Sequence, residues 1–98
     1  MWYIVTMSIE DSAKLSVPPE VLSRVLDGEA VLLHLGSGMY FGMNEVASRA
    51  WEEIVTGTTL GALTSTLLKE FEVERAALAA DLERFVRALE EKQLVTIT

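Results

Sequence analysis

The sequence has 98 residues, half of them hydrophobic, which is enough for one domain with a real core and too short for two. Its formal net charge of −7 argues against a nucleic-acid ligand, because binding to phosphates needs clustered Lys and Arg side chains. The absence of cysteine excludes disulfides, thiol catalysis and the commonest zinc motifs.

The N-terminal stretch MWYIVTMSIED has neither the basic region nor the long apolar run of a signal peptide. No later segment approaches the ~18 consecutive apolar residues of a membrane span. We therefore expect a cytoplasmic protein that does not associate with a membrane. Residues 1–98 are expected to form one domain, in which residues 1–14 are an N-terminal extension or an extra strand.

The next part of the chain is typical of antiparallel strands. Asp27-Gly28 separates two runs rich in Leu and Val, and Asp-Gly is a strong hairpin signal because both positions tolerate positive φ. This predicts strands near 21–26 and 29–35. The turn Gly-Ser-Gly then leads to a third strand at 39–43, and Pro18-Pro19 marks the entry of the chain into the sheet.

From Asn44 onward the apolar residues recur at helical spacing. Asn44 is a favoured N-cap for a first helix that Gly57 closes, and Thr58 or Thr59 can cap a second helix that ends before Val73. A third helix spans about 74–92, and the final LVTIT is compatible with a short strand. The predicted core faces are Val46, Ala47, Ala50, Trp51, Ile54 and Val55 in the first helix, Leu60, Leu63, Leu67, Leu68 and Phe71 in the second, and Leu78, Leu82, Phe85 and Leu89 in the third.

The sequence contains little that points to catalysis. His34 is the only histidine, so there is no histidine pair for a metal and no nucleophilic triad; we expect a partly exposed strand residue. GSGMYFG lacks the spacing and the Lys of a phosphate-binding loop. The paired carboxylates lie among other charges on helical surfaces. We predict no enzyme activity, no metal and no cofactor.

Three strands and three helices also suit a winged-helix regulator, whose third helix would enter the DNA groove. That helix carries Arg75, Arg84, Arg87 and Lys92 against Glu74, Asp81, Glu83, Glu90 and Glu91. Phosphates would be repelled as often as attracted, so an acidic winged-helix transcriptional regulator stays only as an alternative.

The strand at 39–43 ends the predicted sheet, and its outer backbone groups are unpaired unless LVTIT or the N-terminal segment covers them. Such an edge accepts an extended peptide by strand addition. Alternation puts Met39, Phe41 and Met43 on one face of this strand, and Gly42 keeps the other face narrow. Both interpretations, a core strand and a peptide-binding edge, fit the sequence pattern.

Residues 15–97 resemble the PqqD-like peptide-recognition domains of pathways that make ribosomal, modified peptides. The resemblance depends on the order and spacing of Tyr40, Phe41, Met43, Asn44, Trp51, Gly57, Thr59, Asp81, Leu89 and Leu94. The stretches LSVPPEV and VLLHLGSGMYFGMNEV are most similar to the stand-alone leader-binding proteins of lasso-peptide clusters. Met43 departs from the usual Leu, and Lys92-Gln93 stands where a Gly is common.

The resemblance implies an α+β, winged-helix-like fold with a three-stranded antiparallel sheet followed by three helices. It implies a chaperone that binds the leader of a precursor peptide beside 39–43 and presents it to a separate transglutaminase-like cysteine protease and an asparagine-synthetase-like cyclase. A chaperone for a peptide-derived quinone cofactor is the alternative. The expected peptide-binding residues are Met39, Tyr40, Phe41, Gly42, Met43, Ala77, Leu78, Asp81, Leu82, Arg84 and Phe85. If Leu82 and Phe85 belong wholly to the core, Ala77, Ala80 and Arg84 line the groove instead.

Overall fold

A computed structural model of the chain describes residues 9–98. The N-terminal stretch up to residue 8, and with it most of the expected extension, lies outside the described residues. The elements in chain order are β1 (Lys14–Ser16), β2 (Val21–Leu26), β3 (Glu29–His34), β4 (Met39–Gly42), α1 (Glu45–Thr56), β5 (Thr58–Thr59), α2 (Leu60–Glu70), α3 (Arg75–Glu91) and β6 (Thr96–Ile97).

The predicted three-stranded antiparallel meander is confirmed, with the strand order β2-β3-β4. Asp27 and Gly28 form its first turn with φ of 54° and 80°, the positive values that Asp-Gly turns require. In register, Val21 lies opposite His34, and Leu32 lies opposite Phe41. β2 has the predicted bounds, and β3 and β4 each end one residue earlier than predicted, at His34 and Gly42.

A second small sheet with the order β5-β1-β6 was predicted only in part. β6 is the expected strand in LVTIT, and it pairs with β1, with Leu15 opposite Ile97. β5 pairs with the other side of β1. Because β6 is bound to β1, the C-terminal segment does not cover the free edge of β4.

The three predicted helices are confirmed together with two of their caps. The Asn44 side chain accepts from the N–H of Ala47 at 2.9 Å, and the Thr59 hydroxyl accepts from the N–H of Ala62 at 3.2 Å. Gly57 ends α1 with a φ of 91°, a conformation that favours glycine. The start of α3 at Glu74 has no side-chain cap.

The core lies between the meander and the helices, and it corrects several predicted faces. Val46 and Val55 are exposed, while Ser48 joins Trp51 and Ile54 on the buried side of α1. In α3 the buried set is Leu78, Leu82, Val86 and Leu89, and Phe85 only packs against its margin. Val86 is buried because it follows Leu82 by four residues, which is one turn of the same helix face.

α1 and α2 are joined at the surface by Arg49. Its guanidinium donates to both carboxylate oxygens of Glu70 at 2.8 Å and lies 2.7 Å from Glu53. The hydrogen bonds that Arg49 donates to Glu70, and then to Glu53, raise the pKa of Arg49 above its ordinary value. In the described part of the chain, no helix has the length and apolar character needed to cross a membrane.

Candidate peptide-binding groove

Within residues 9–98, the outer edge of β4 has no partner strand, and the hydrogen-bond pattern identifies which backbone groups face outward. Met43 N–H donates to Ala30 C=O at 2.9 Å, and Leu35 N–H donates to Glu20 C=O at 2.9 Å. Antiparallel bonds alternate along a strand, so alternate residues of β4, Phe41 among them, bond toward β3. The N–H and C=O groups of Tyr40 and Gly42 therefore point away from β3, and no strand within residues 9–98 pairs with them.

The backbone of Phe41 therefore cannot bond to an added strand in the way that the backbones of Tyr40 and Gly42 can. The N–H of Phe41 belongs to the β3–β4 ladder opposite Leu32, so it is not a donor for a peptide at the outer edge. Only the backbone groups of Tyr40 and Gly42 have the required direction.

Residues of α3 line two cavities near β4: Glu91 shares one with Met39 and Phe41, and the middle of α3 shares the other with Asn44, two residues beyond the end of β4. We call the space between α3 and β4 the edge groove. At the end where β4 leads into α1, Asn44 borders a cavity of about 370 Å³. This apolar pocket is lined by Asn44, Val46, Ala47, Ala50, Phe71, Val73, Ala77, Leu78, Asp81, Leu82 and Phe85. Its size and mostly apolar lining suit one bulky apolar side chain.

At the opposite end of β4, a cavity of about 310 Å³ is lined by His34, Ser37, Met39, Phe41, Glu91, Lys92 and Gln93. We call it the His34 pocket. His34 is only 5% exposed, which corrects the expectation of a partly exposed residue. Its side chain is on the inner face of β3, in line with buried Ala30 and Leu32.

Most of the predicted site residues come together in the edge groove. Ala77, Leu78, Asp81, Leu82 and Phe85 line the apolar pocket, so Leu82 and Phe85 contribute to both core and groove. Met39 and Phe41 line the His34 pocket.

The remaining predicted residues lie around the groove. Met43 is a core residue at 8% exposure, and Tyr40 is 71% exposed on the outer face of the meander. Arg84 is exposed and forms an ion pair with Asp81 at the rim, without lining either pocket. The alternative lining residue Ala80 is absent from both linings.

Several lining residues were missed by sequence reasoning, notably Val46, Phe71 and Val73. Val46 was assigned to the core because it fits the apolar period of α1. Its position in the first turn instead leaves it beside the groove with 43% exposure. Val73 follows α2 in a short connection, where periodicity carries no information about direction. Within residues 9–98, no group of three or more acidic or histidine side chains is arranged to hold a metal ion.

Fold and groove together define a peptide-recognition class, and comparison with known proteins agrees. The family model described as coenzyme PQQ synthesis protein D (PqqD) matches residues 29–95. This match covers more than half of the chain, so the chain belongs to the PqqD family. No curated protein gives a significant match.

Two solved structures are similar over most of the chain. TbiB1 in complex with the TbiA(beta) leader peptide has 36% identity and a TM-score of 0.79, covering 82% of this chain and 93% of TbiB1. A lasso peptide synthetase B1 complexed with the leader peptide has 27% identity and a TM-score of 0.76, covering 84% and 96% of the two chains. These similarities group the chain with binding proteins rather than with enzymes.

Proposed function

We propose that this chain binds the leader segment of a ribosomally made precursor peptide of the lasso type. The leader adds as a strand to the outer edge of β4, where the backbone groups of Tyr40 and Gly42 receive its main-chain hydrogen bonds. The observation that carries the proposal is this edge, which no strand of residues 9–98 pairs with, beside a groove that has a pocket near each end of β4.

The groove chemistry supports an extended ligand with alternating side chains. Side chains of an added strand point alternately toward α3 and toward the outer face of the meander. The first set enters the apolar pocket, where Ala77, Leu78, Leu82 and Phe85 supply contact area. Asp81 and Arg84 at the rim offer one charge of each sign to the leader.

Leader binding gives the chain the role of an adaptor. It holds the precursor while a separate transglutaminase-like cysteine protease removes the leader and an asparagine-synthetase-like cyclase closes the ring. This step is supported by the relation to the B1 protein of a lasso peptide synthetase, and by an edge groove too small to enclose more than a short segment of peptide.

A titration tests the proposal directly. A synthetic leader from the precursor encoded next to this chain's gene, labelled with a fluorophore, is titrated with the protein, and duplex DNA is titrated at low and moderate salt. We expect saturable leader binding and no DNA binding at moderate salt. Binding of DNA alone would refute the adaptor function and favour the acidic winged-helix regulator.

The family description favours one second candidate, a chaperone for a peptide-derived quinone cofactor. The same edge would then hold a different precursor. A competition between the lasso-type leader and a quinone-cofactor precursor peptide distinguishes the two, because the cognate peptide displaces the other at lower concentration. We expect the lasso-type leader to displace the quinone-cofactor precursor peptide at the lower concentration.

A further inference from the structure

The His34 pocket contains a buried ring with one free nitrogen. The N–H of Ser37 donates to His34 Nδ1 at 3.1 Å. A ring nitrogen that accepts a hydrogen bond is unprotonated, so neutral His34 carries its proton on Nε2. Within the described residues, Nε2 has no hydrogen-bond partner and is not sealed in the core, so it is reached from the cavity that His34 lines.

Three charged residues lie near the His34 ring or line its pocket. Glu91 and Lys92 line the pocket from the end of α3. Glu20 lies beside the ring, since a methyl group placed on Gly36 would be 2.9 Å from His34 Cε1 and 3.1 Å from the Glu20 carboxylate. A carboxylate in the pocket would meet Glu91, with Glu20 behind the ring, and an ammonium group would meet Lys92 and the Nε2–H.

We propose that the His34 pocket is a second leader subsite and that it accepts a carboxamide side chain, Asn or Gln. The amide oxygen accepts from His34 Nε2–H, and the amide NH₂ group faces Glu91. A carboxamide carries an acceptor and a donor without net charge, which matches the mixed lining of the pocket. This inference rests on leader binding at the edge groove.

Strand geometry gives the spacing between the two subsites. Both pockets lie on the helix side of β4, so side chains that enter them have the same parity along the leader. The pockets border Met39 at one end and Asn44 at the other, about 17 Å apart at ~3.4 Å per residue. The carboxamide is therefore expected four or six residues from the bulky apolar residue.

The test replaces each position of the synthetic leader in turn with Gln, Glu, Leu or Lys, and measures binding to the wild type and to His34→Phe. We expect one position to prefer Gln over Leu and Glu by about fivefold, the range of one hydrogen bond. In His34→Phe this preference disappears, because the Gln side chain loses the ring N–H that it accepts from. The carboxamide subsite is refuted, while leader binding stands, if the leader binds tightly but none of its positions prefers Gln. A preference for Glu, Lys or Leu at the position that His34→Phe affects would refute the subsite in the same way.

Failure of every peptide to bind the wild type would instead refute leader binding itself, and the inference with it. Since His34 is buried, a second variant keeps the ring and moves it. Gly36→Ala introduces a methyl group at 2.9 Å from His34 Cε1, and we expect it to weaken the Gln preference. His34→Gln retains a donor and should keep part of that preference; complete loss in a folded His34→Gln protein would count against a hydrogen-bonding role.

Lys92→Met has a matched control in Lys69→Met, an exposed lysine of α2 outside both pockets. Removing Lys92 should lower discrimination against a Lys-containing peptide at the same position, because the repelling charge is gone. Lys69→Met should leave it unchanged. An equal effect of the two substitutions would overturn the assignment of Lys92 to the subsite.

Discussion

The hydroxyl of Ser48 accepts a hydrogen bond from the backbone N–H of Ala30 at 2.6 Å. The same hydroxyl donates to the C=O of Met43 at 3.2 Å. Met43 is the residue opposite Ala30 across the end of the β3–β4 ladder, so a side chain of α1 takes the place of one ladder bond there. This contact fixes the start of α1, and with it one wall of the apolar pocket, against the end of β4.

Ser48→Ala should therefore destabilise the protein. Ala30 is fully buried, and without the hydroxyl its N–H would lack a partner, at a cost of about 1–3 kcal/mol. Urea denaturation measures this loss. Ser23→Ala is the matched control, because Ser23 is exposed on β2 and its substitution should stay within about 0.5 kcal/mol. Equal stability of the two variants would contradict a structural role for Ser48.

Gly42→Pro should weaken leader binding while the fold is retained. Proline removes the outward N–H of Gly42 and puts its ring at the peptide edge, and proline is tolerated on edge strands where the N–H faces solvent. We expect at least about a tenfold loss in affinity, since one main-chain bond and some contact are lost. Fluorescence anisotropy gives the affinity, and circular dichroism checks the fold.

Gly42→Ala provides the comparison for that variant. A Cβ at Gly42 meets no atom within 4 Å, and the N–H stays in place. Any loss of leader affinity in Gly42→Ala therefore comes from the added methyl group alone. Phe41→Pro should behave differently from both, because it breaks the β3 ladder and destabilises the sheet. Equal leader affinity for Gly42→Pro and Gly42→Ala would argue against strand addition at this edge.

Filling the apolar pocket should block the leader without harming the core. Ala77 is exposed at the mouth of this pocket, and Ala77→Phe places a ring in the space that a leader side chain would occupy. We expect affinity to fall by about tenfold or more, the scale of one buried apolar side chain. Ala76→Phe, one residue earlier and outside the pocket lining, should bind as the wild type does. Similar losses from both variants would point to a general effect on α3.

The parts of the fold that local chemistry controls were predictable, and those set by distant contacts were not. Asp27-Gly28 and the caps Asn44 and Thr59 carry their signals within a few residues, and the structure has each as predicted. β1 and β5 are three and two residues long. Their pairing depends on where α1 brings Thr58, which no local propensity encodes.

The candidate site divides in the same way. Alternation along β4 predicted its two faces, and the family resemblance implied Ala77 and Asp81 as groove residues, both of which line the apolar pocket. The burial of His34 was missed, because VLLHL alternates weakly and does not show which face of β3 is covered. The direction of the Phe41 N–H could not be predicted from the sequence either, because it follows from the register between β4 and β3.

Arg49→Met should lower stability in a manner that depends on salt. Arg49 holds α2 to α1 through a two-point contact with Glu70 and a further contact with Glu53, a geometry stronger than an ordinary surface pair. Its side chain is 30% exposed, so solvent screens part of the interaction, and we expect a loss of about 0.5–1.5 kcal/mol at low ionic strength.

Urea denaturation of the wild type and Arg49→Met near 20 mM and near 500 mM NaCl measures this effect. The difference between the two proteins should shrink at the higher salt, because the Debye length falls to roughly 4 Å there. Arg75→Met is the matched control: Arg75 is exposed at the first position of α3, where a positive charge meets the positive end of the helix dipole, so its removal should not destabilise the fold. The difference in unfolding free energy between the wild type and Arg49→Met could instead be the same at both salt concentrations. That result would mean that packing of the Arg49 stem, rather than its charge, joins the two helices.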